Sequence, residues 1–296
     1  MGTTDLNAEI REFLSSRRAR ITPEQAGLPV YGGNRRVAGL RREEVAMLAG
    51  VSVDYYVRME RGNLAGASES VLHALAGALR LDEAERTHLY GLAQASGSRD
   101  RTPRKAATSV RPAVQQVLDA MTDAAAWVRN ARHDIVAMNP LARALYSPVL
   151  ADGRRPANTT RFVYLDPAAP EFFVDYDRIA NDAAAMLRLE AGRNPHDKAL
   201  IALVGELSTR SDLFRRRWAS HDVQFHRSGQ KRLRHPQVGQ LDLDFEGMEL
   251  ASSPGLQLNV YTAAAGTPTA DALKLLASWG ASQEALPTEA AHSPAG

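Results

Sequence analysis

The 296-residue sequence predicts two domains of different class: an all-α front of five helices and an α+β back built on an antiparallel sheet. Three observations carry that expectation. Over the first 95 residues apolar side chains recur at helical spacing. The stretch ASGSRDRTPRKAATSVR at 95–111 is polar, basic and poor in apolar residues, as a linker is. Beyond residue 220 the apolar period switches to two. The expected division is a front domain at 1–95, a linker at 96–111, a back domain at 112–285 and a disordered tail at 286–296.

The first helix is expected over 5–20, where Leu6, Ile10, Phe13 and Leu14 form one stripe and Arg11, Arg17, Arg18 and Arg20 fill the other faces. Thr22-Pro23-Glu24-Gln25 has the form of a helix start. Gly27–Gly39, with Pro29 and Gly32-Gly33, reads as loop. Short helices follow at about 41–48, 53–61, 69–80 and 83–94. Gly50 and Gly62 end the first two, and Asp82 with Glu85 opens the last as a capping box.

In the back domain, Val114, Val117, Leu118 and Met121 mark a helix. Ala126–Asn130 and Asp134–Met138 read as strands around a turn at Ala131-Arg132-His133. Residues 139–147 and about 170–220 read as helical, broken near Gly192–Pro195 and Ser211. Alternation then predicts strands at Val223 and Phe225, at Leu241, Leu243 and Phe245, and at Leu256, Leu258 and Val260. A helix at 269–279 closes a sheet of about five strands with helices against one face.

Composition limits the chemistry. There are no cysteines, which removes disulfides, thiol catalysis and cysteine-based metal sites. Net charge is +2, but residues 1–111 hold 17 Lys and Arg against 13 Asp and Glu, a basic front half. No apolar run is long enough to span a bilayer, and the start lacks the apolar core of a signal peptide, so a cytoplasmic, nucleoid-associated protein is expected.

The segment LRREEVAMLAGVSVDYYVRMERG at 40–62 is the most specific signal. Two helices meet there through a tight turn. Ala46 and Ala49 are small where helices approach, Gly50 supplies a left-handed turn, Val51 plugs the core, and Ser52 caps the second helix. Asp54 suits that helix's positive end. Val45, Leu48, Val51, Tyr56 and Met59 are expected inside. Val53, Asp54, Tyr55 and Arg58 are left on one outer face, of a size that fits a DNA major groove.

This stretch, down to Met59-Glu60-Arg61-Gly62, resembles the helix-turn-helix of phage-repressor and Xre-type regulators. The wider blocks ARITPEQAGLPV, SDLFRRRWASHDV and RHPQVGQLDLDFE resemble the MmyB-like regulators over nearly the whole chain. The resemblance implies a lambda-repressor-like DNA-binding domain followed by a PAS-like ligand-binding domain. It also implies a homodimer on double-stranded DNA and a fatty-acid-like apolar effector. It assigns base contacts to Val53, Asp54, Tyr55 and Arg58, phosphate contacts to Arg41, Arg42, Ser52 and Arg61, and backbone or minor-groove contacts to Arg35 and Arg36. Val53 departs from a polar pattern and reads at most a thymine methyl.

An effector pocket is expected among Trp127, Phe162, Phe172, Phe173, Leu187, Phe214, Trp218 and Phe225, with a buried Arg161 or Arg215 for a carboxylate. Trp218 and His221 lie within one helical turn, and either frame a ligand or pack in a core. His221, His226 and His235 fit no metal-ligand spacing and read as structural; no metal and no other cofactor is expected. Asp242 and Asp244 alternate with leucines and read as the wet face of a strand. Asp134, Asn139 and Asn158 read as caps or turn closures. No nucleophile elbow, phosphate loop or dinucleotide fingerprint is present, so a regulator that is not an enzyme is the expected function. An enzyme with a DNA-targeting module and a protein-interaction protein are the alternatives.

Overall fold

The computed structural model describes residues 3–28, 37, 39–97, 107–224 and 227–285. Arg35, Arg36, Phe225, His226, most of the linker and the tail from 286 lie outside the described residues. The chain divides into two compact units. One comprises residues 1–105 and 180–225, the other residues 106–179 and 226–296. Division by packing thus crosses the division expected from sequence. Residues 180–225 pack with the front helices.

The first unit contains α1 (Thr3–Arg20), α2 (Arg42–Leu48), α3 (Val53–Glu60), α4 (Glu69–Ala78) and α5 (Glu83–Gly97). These are the five helices that periodicity predicts. Thr22 and Gln25 do form a reciprocal capping pair, at 2.9 and 3.3 Å. The helix does not propagate, because a turn from Leu28 N–H to the Pro23 carbonyl closes it. The core gathers Leu6, Ile10, Phe13 and Leu14 of α1 with Val45, Tyr56, Met59, Leu72, Leu75, Leu89 and Leu92. Leu48, expected inside, is 36% exposed; its neighbour Ala49 takes the buried position at the end of α2.

The second unit contains α6 (Pro112–Ala120), β1 (Ala125–Asn130), β2 (Ile135–Met138), α7 (Pro140–Leu145), α8 (Ser147–Leu150), α9 (Thr159–Leu165) and α10 (Ala169–Phe172). The chain continues into α11 (Tyr176–Arg193), whose residues to Ile179 belong to the second unit and those from Ala180 to the first. Next come α12 (Lys198–Arg210) and α13 (Asp212–Ala219) of the first unit. The second unit then resumes with β3 (Ser228–His235), β4 (Gly239–Glu249), β5 (Leu256–Thr262) and α14 (Pro268–Ala285). The five strands run in the order β2-β1-β5-β4-β3, every neighbouring pair antiparallel.

Two sequence expectations change here. Val223 is not in a strand; it is buried in the first unit's core. The strand is β3 instead, where Lys231, Leu233 and His235 point inward and Arg232 and Arg234 outward. Only one of those inward residues is apolar, so hydrophobic alternation does not reveal it. Helices also cover more than one face. Val114 and Leu118 of α6 pack on Ala126, Val128, Leu256 and Leu258. Trp127, Asn259 and Tyr261 alternate with these and face the other side. The strands β1 and β5 are therefore buried on both faces, while β3 and β4 keep the wet face on which Asp242 and Asp244 lie.

Candidate nucleic-acid interface and buried aromatic site

The turn between α2 and α3 is built as the sequence requires. Gly50, at φ +64°, follows α2 in the left-handed region. Val51 N–H reaches the Ala46 carbonyl at 3.0 Å and Gly50 N–H the Met47 carbonyl at 3.1 Å, satisfying the orphan carbonyls of the helix end. Ser52 then caps α3, its hydroxyl accepting from Tyr55 N–H at 3.2 Å. This leaves Ser52, Val53, Asp54, Arg58 and Arg61 exposed, with Tyr55 half-buried. The Arg58 guanidinium lies 4.7 Å from the centre of the Tyr55 ring, so these two side chains form one stacked element of the face.

The end of α3 explains the Glu60-Arg61-Gly62 pattern. Glu60 is 2% exposed, and its carboxylate is clamped by Arg18 of α1 at 2.7 Å and by Nε of Arg42. A side chain at Gly62 would meet the backbone of Asn7 at 2.5 Å, so only glycine lets α1 approach. Arg42 is thus more than a surface cation: it ties α2 to α3. Arg41 is exposed and stands 3.8 Å from Glu43.

Residues 180–225 attach to this helical unit through buried charge. Arg188, 1% exposed, donates to both Glu9 oxygens at 2.5 and 2.6 Å, donates to the Trp218 carbonyl, and lies 4.2 Å over the Trp218 ring. Burial alone would raise the Glu9 carboxyl; His88 and Arg188 outweigh it and hold the group far below the usual carboxylate range. His88, fully buried, is pushed down by burial despite Glu9, and His221 is pushed down to about 4, chiefly by burial. Arg17 joins Glu85 at 2.8 Å and donates to the His221 carbonyl. Glu9, Glu12 and His221 bring three possible metal-ligand atoms within 4.8 Å. Arg188 already occupies both Glu9 oxygens, which makes this an ion-pair network.

The expected pocket residues divide between the units. Leu187, Phe214, Arg215 and Trp218 lie in the first. Phe214 stacks on Trp218 at 5.3 Å. Arg215 is exposed and paired with Asp212, because α13 turns that face to solvent; it is not the buried carboxylate partner. Arg161 is half-buried at the start of α9, where its N–H donates to the cap Asn158. Trp127, Phe162, Phe172 and Phe173 lie in the second unit and do come together. Phe172 is 5.0 Å from Phe173 and 5.8 Å from Phe162, and Tyr146 bridges Phe172 at 6.1 Å to Trp127 at 5.2 Å.

Sequence reasoning missed the polar heart of that cluster. Lys231 on β3 is 8% exposed and donates to the Tyr261 hydroxyl at 3.1 Å. It lies 5.3, 5.4 and 6.0 Å from the ring centres of Phe245, Tyr261 and Phe173. Tyr146 donates to the same Tyr261 oxygen at 2.9 Å. Burial pushes the Tyr146 phenol well up, so it stays a neutral donor. His235 closes one end, its Nε2 3.2 Å from the Ala144 carbonyl and its Nδ1 accepting from Gln237 N–H, with burial lowering its pKa. A count from the β3–β4 turn would have found Lys231: His235 pairs with Gly239, Leu233 with Leu241 and Lys231 with Leu243, on the buried face.

The strand ends are fixed as Asp134, Asn139 and Asn158 suggest. Asn139 caps α7 at 2.8 Å and donates to the Met121 and Ala124 carbonyls. Asp134 accepts from Asn130 and Asn158 at 3.1 and 2.8 Å.

A family model described as the MmyB-like transcription regulator ligand binding domain matches residues 110–276, more than half of the chain. The chain belongs to the MmyB-like transcription regulators. A helix-turn-helix domain model matches residues 16–89, which contain α2 and α3. No curated protein matches. The MmyB-like chain is thus a DNA-binding transcription regulator, with a helix-turn-helix in the first unit and a ligand-binding domain behind it. The family's ligand-binding match includes residues 180–225, which this regulator packs with its helix-turn-helix. Among the described residues of the MmyB-like chain, no helix is long and apolar enough to cross a membrane.

Proposed function

We propose that this regulator is an Xre-type, cytoplasmic protein that binds its operator as a homodimer and changes DNA affinity when an apolar, fatty-acid-like effector enters the PAS-like second unit. The observation that carries the reading is α11. One helix runs from the unit holding the aromatic cluster into the unit holding α3. At its start Tyr176 donates to the Val163 carbonyl at 2.9 Å; near its end Arg188 grips Glu9 of α1. An effector alters DNA binding only through a difference in affinity for two arrangements of the protein, and a continuous helix supplies a path for that difference. Two recognition helices related by a twofold axis would meet half-sites about one DNA turn apart. Arg58 and Tyr55 supply base contacts, and Arg41 and Arg61 supply phosphate contacts.

The experiment is a titration of the full chain against operator and scrambled duplexes at two salt concentrations, with and without sodium dodecanoate. A regulator shows a preferred site, a negative salt slope and a shift with the acid. Equal affinity for both duplexes sinks site-specific reading; an unchanged affinity with bound dodecanoate sinks effector control.

A further inference from the structure

Lys231 is the buried lysine or arginine of the second unit among the described residues, and no carboxylate there pairs with it. One of its three N–H groups goes to Tyr261, and the rings of Phe245, Tyr261 and Phe173 lie within 6.0 Å of its ammonium. The Tyr261 oxygen already receives two donors, Lys231 and Tyr146, which leaves its own O–H without a partner in that arrangement. Trp127, 4% exposed and 5.2 Å from Tyr146, buries an indole N–H with no hydrogen-bond partner. The cluster therefore has spare donors and one positive charge, and lacks an acceptor to match them. A group that only accepts hydrogen bonds and carries a negative charge completes it. The surrounding rings of Phe162, Phe172 and Phe173 suit an apolar body.

Resting on the reading of the second unit as the effector domain, we propose that Lys231 anchors a carboxylate effector, with Tyr261 and Trp127 completing its hydrogen bonds. One carboxylate balances one ammonium. A phosphate monoester, at about −1.5 to −2 near neutral pH, leaves excess charge among aromatic rings. The site therefore selects acids over neutral chains of equal length, and carboxylates over phosphates. Arg161 and Arg215 are not needed for this role.

The test uses the full chain, with calorimetry against dodecanoate, 1-dodecanol and dodecyl phosphate. Dodecanoate should bind at least about ten times tighter than the other two. Lys231→Met keeps an unbranched side chain, one atom shorter, and removes its charge. It should weaken dodecanoate roughly 10- to 100-fold and leave dodecanol unchanged. A second readout needs no variant: the ¹³C-labelled carboxyl of bound dodecanoate should stay ionised well below the pH at which the free acid titrates. Equal binding of acid and alcohol, unchanged acid binding by Lys231→Met, tighter binding of the phosphate, or a bound carboxyl that titrates as in water each overturns the anchor. The first two leave an apolar effector site standing. If none of the three compounds binds the wild-type chain, the effector reading fails, and the anchor fails with it.

Discussion

Both units bury basic side chains, and they treat them in opposite ways. In the first, Arg188 meets Glu9, Arg17 meets Glu85 and Arg18 meets Glu60, each across less than 3 Å and with at least one member nearly sealed from water. In the second, Lys231 is also buried, at 8% exposed, and has a hydroxyl and ring faces but no counter-charge. A charge taken out of water is costly unless it is paired. The paired arginines fix one arrangement of α1, α3, α5 and α11. The unpaired lysine holds an electrostatic demand that the chain itself does not meet. On the proposed reading, buried charge thus separates a scaffold from an effector site.

The largest effect should come from breaking a pair. Arg188→Ala leaves the buried Glu9 without its arginine, with only His88 and His221 beside it, and should cost about 3–5 kcal/mol, read from denaturant melts of the full chain. In a double-mutant cycle, Glu9→Gln with Arg188→Ala should cost clearly less than the sum of the two single changes. Additive losses would mean that the pair does not act as one.

The histidines beside that pair sharpen the comparison by pH. Burial, with the facing Arg188 and Arg17, outweighs Glu9 and pushes His221 down to about 4 in the folded unit, against about 6.5 when unfolded. Between those values the unfolded chain binds the extra proton, so the contribution is complete above pH 6.5 and lost as pH falls toward 4. Melts across this window should show a decline of about 1–3 kcal/mol, and His221→Gln should flatten it. An identical slope in the variant would assign the decline elsewhere, His88 being the next group in line.

On DNA, Arg58→Ala should cost about 1–3 kcal/mol at the operator and relax the preference at one base pair, without shifting the melt. Arg42→Ala should do something different: release one side of the Glu60 clamp and lower the melting temperature as well as DNA affinity. A variant of Arg42 that melts like wild type would return that residue to a phosphate-contact role alone. The smallest change belongs to the second unit. Lys231→Met should alter ligand-free stability by less than about 1 kcal/mol, or raise it, because it removes a charge that has no buried partner. A loss as large as that of Arg188→Ala would erase the distinction between the two units.

Local rules made much of this legible. Five front helices, the Gly50 turn, the Ser52 cap and the Asp82–Glu85 box all depend on residues within about one helical turn of each other, and all form. The first two strands and the caps at Asn139 and Asn158 follow for the same reason. The exposed face of α3 was equally readable, because it is what remains once the core positions of a short helix are assigned.

What the sequence determined by itself is therefore the helix-turn-helix, its outward residues and the α+β character of the second unit, since periodicity and capping report short-range geometry. Tertiary structure decided the rest. It assigned 180–225 to the helical unit, buried Val223 there, exposed Leu48 and Arg215, and turned Lys231 of the basic-looking KRLR run inward. The buried charges among these depend on partners tens to nearly two hundred residues away: Glu9 for Arg188, Tyr261 for Lys231. Charge spacing along a chain carries no record of which distant group will stand opposite when the chain closes on itself.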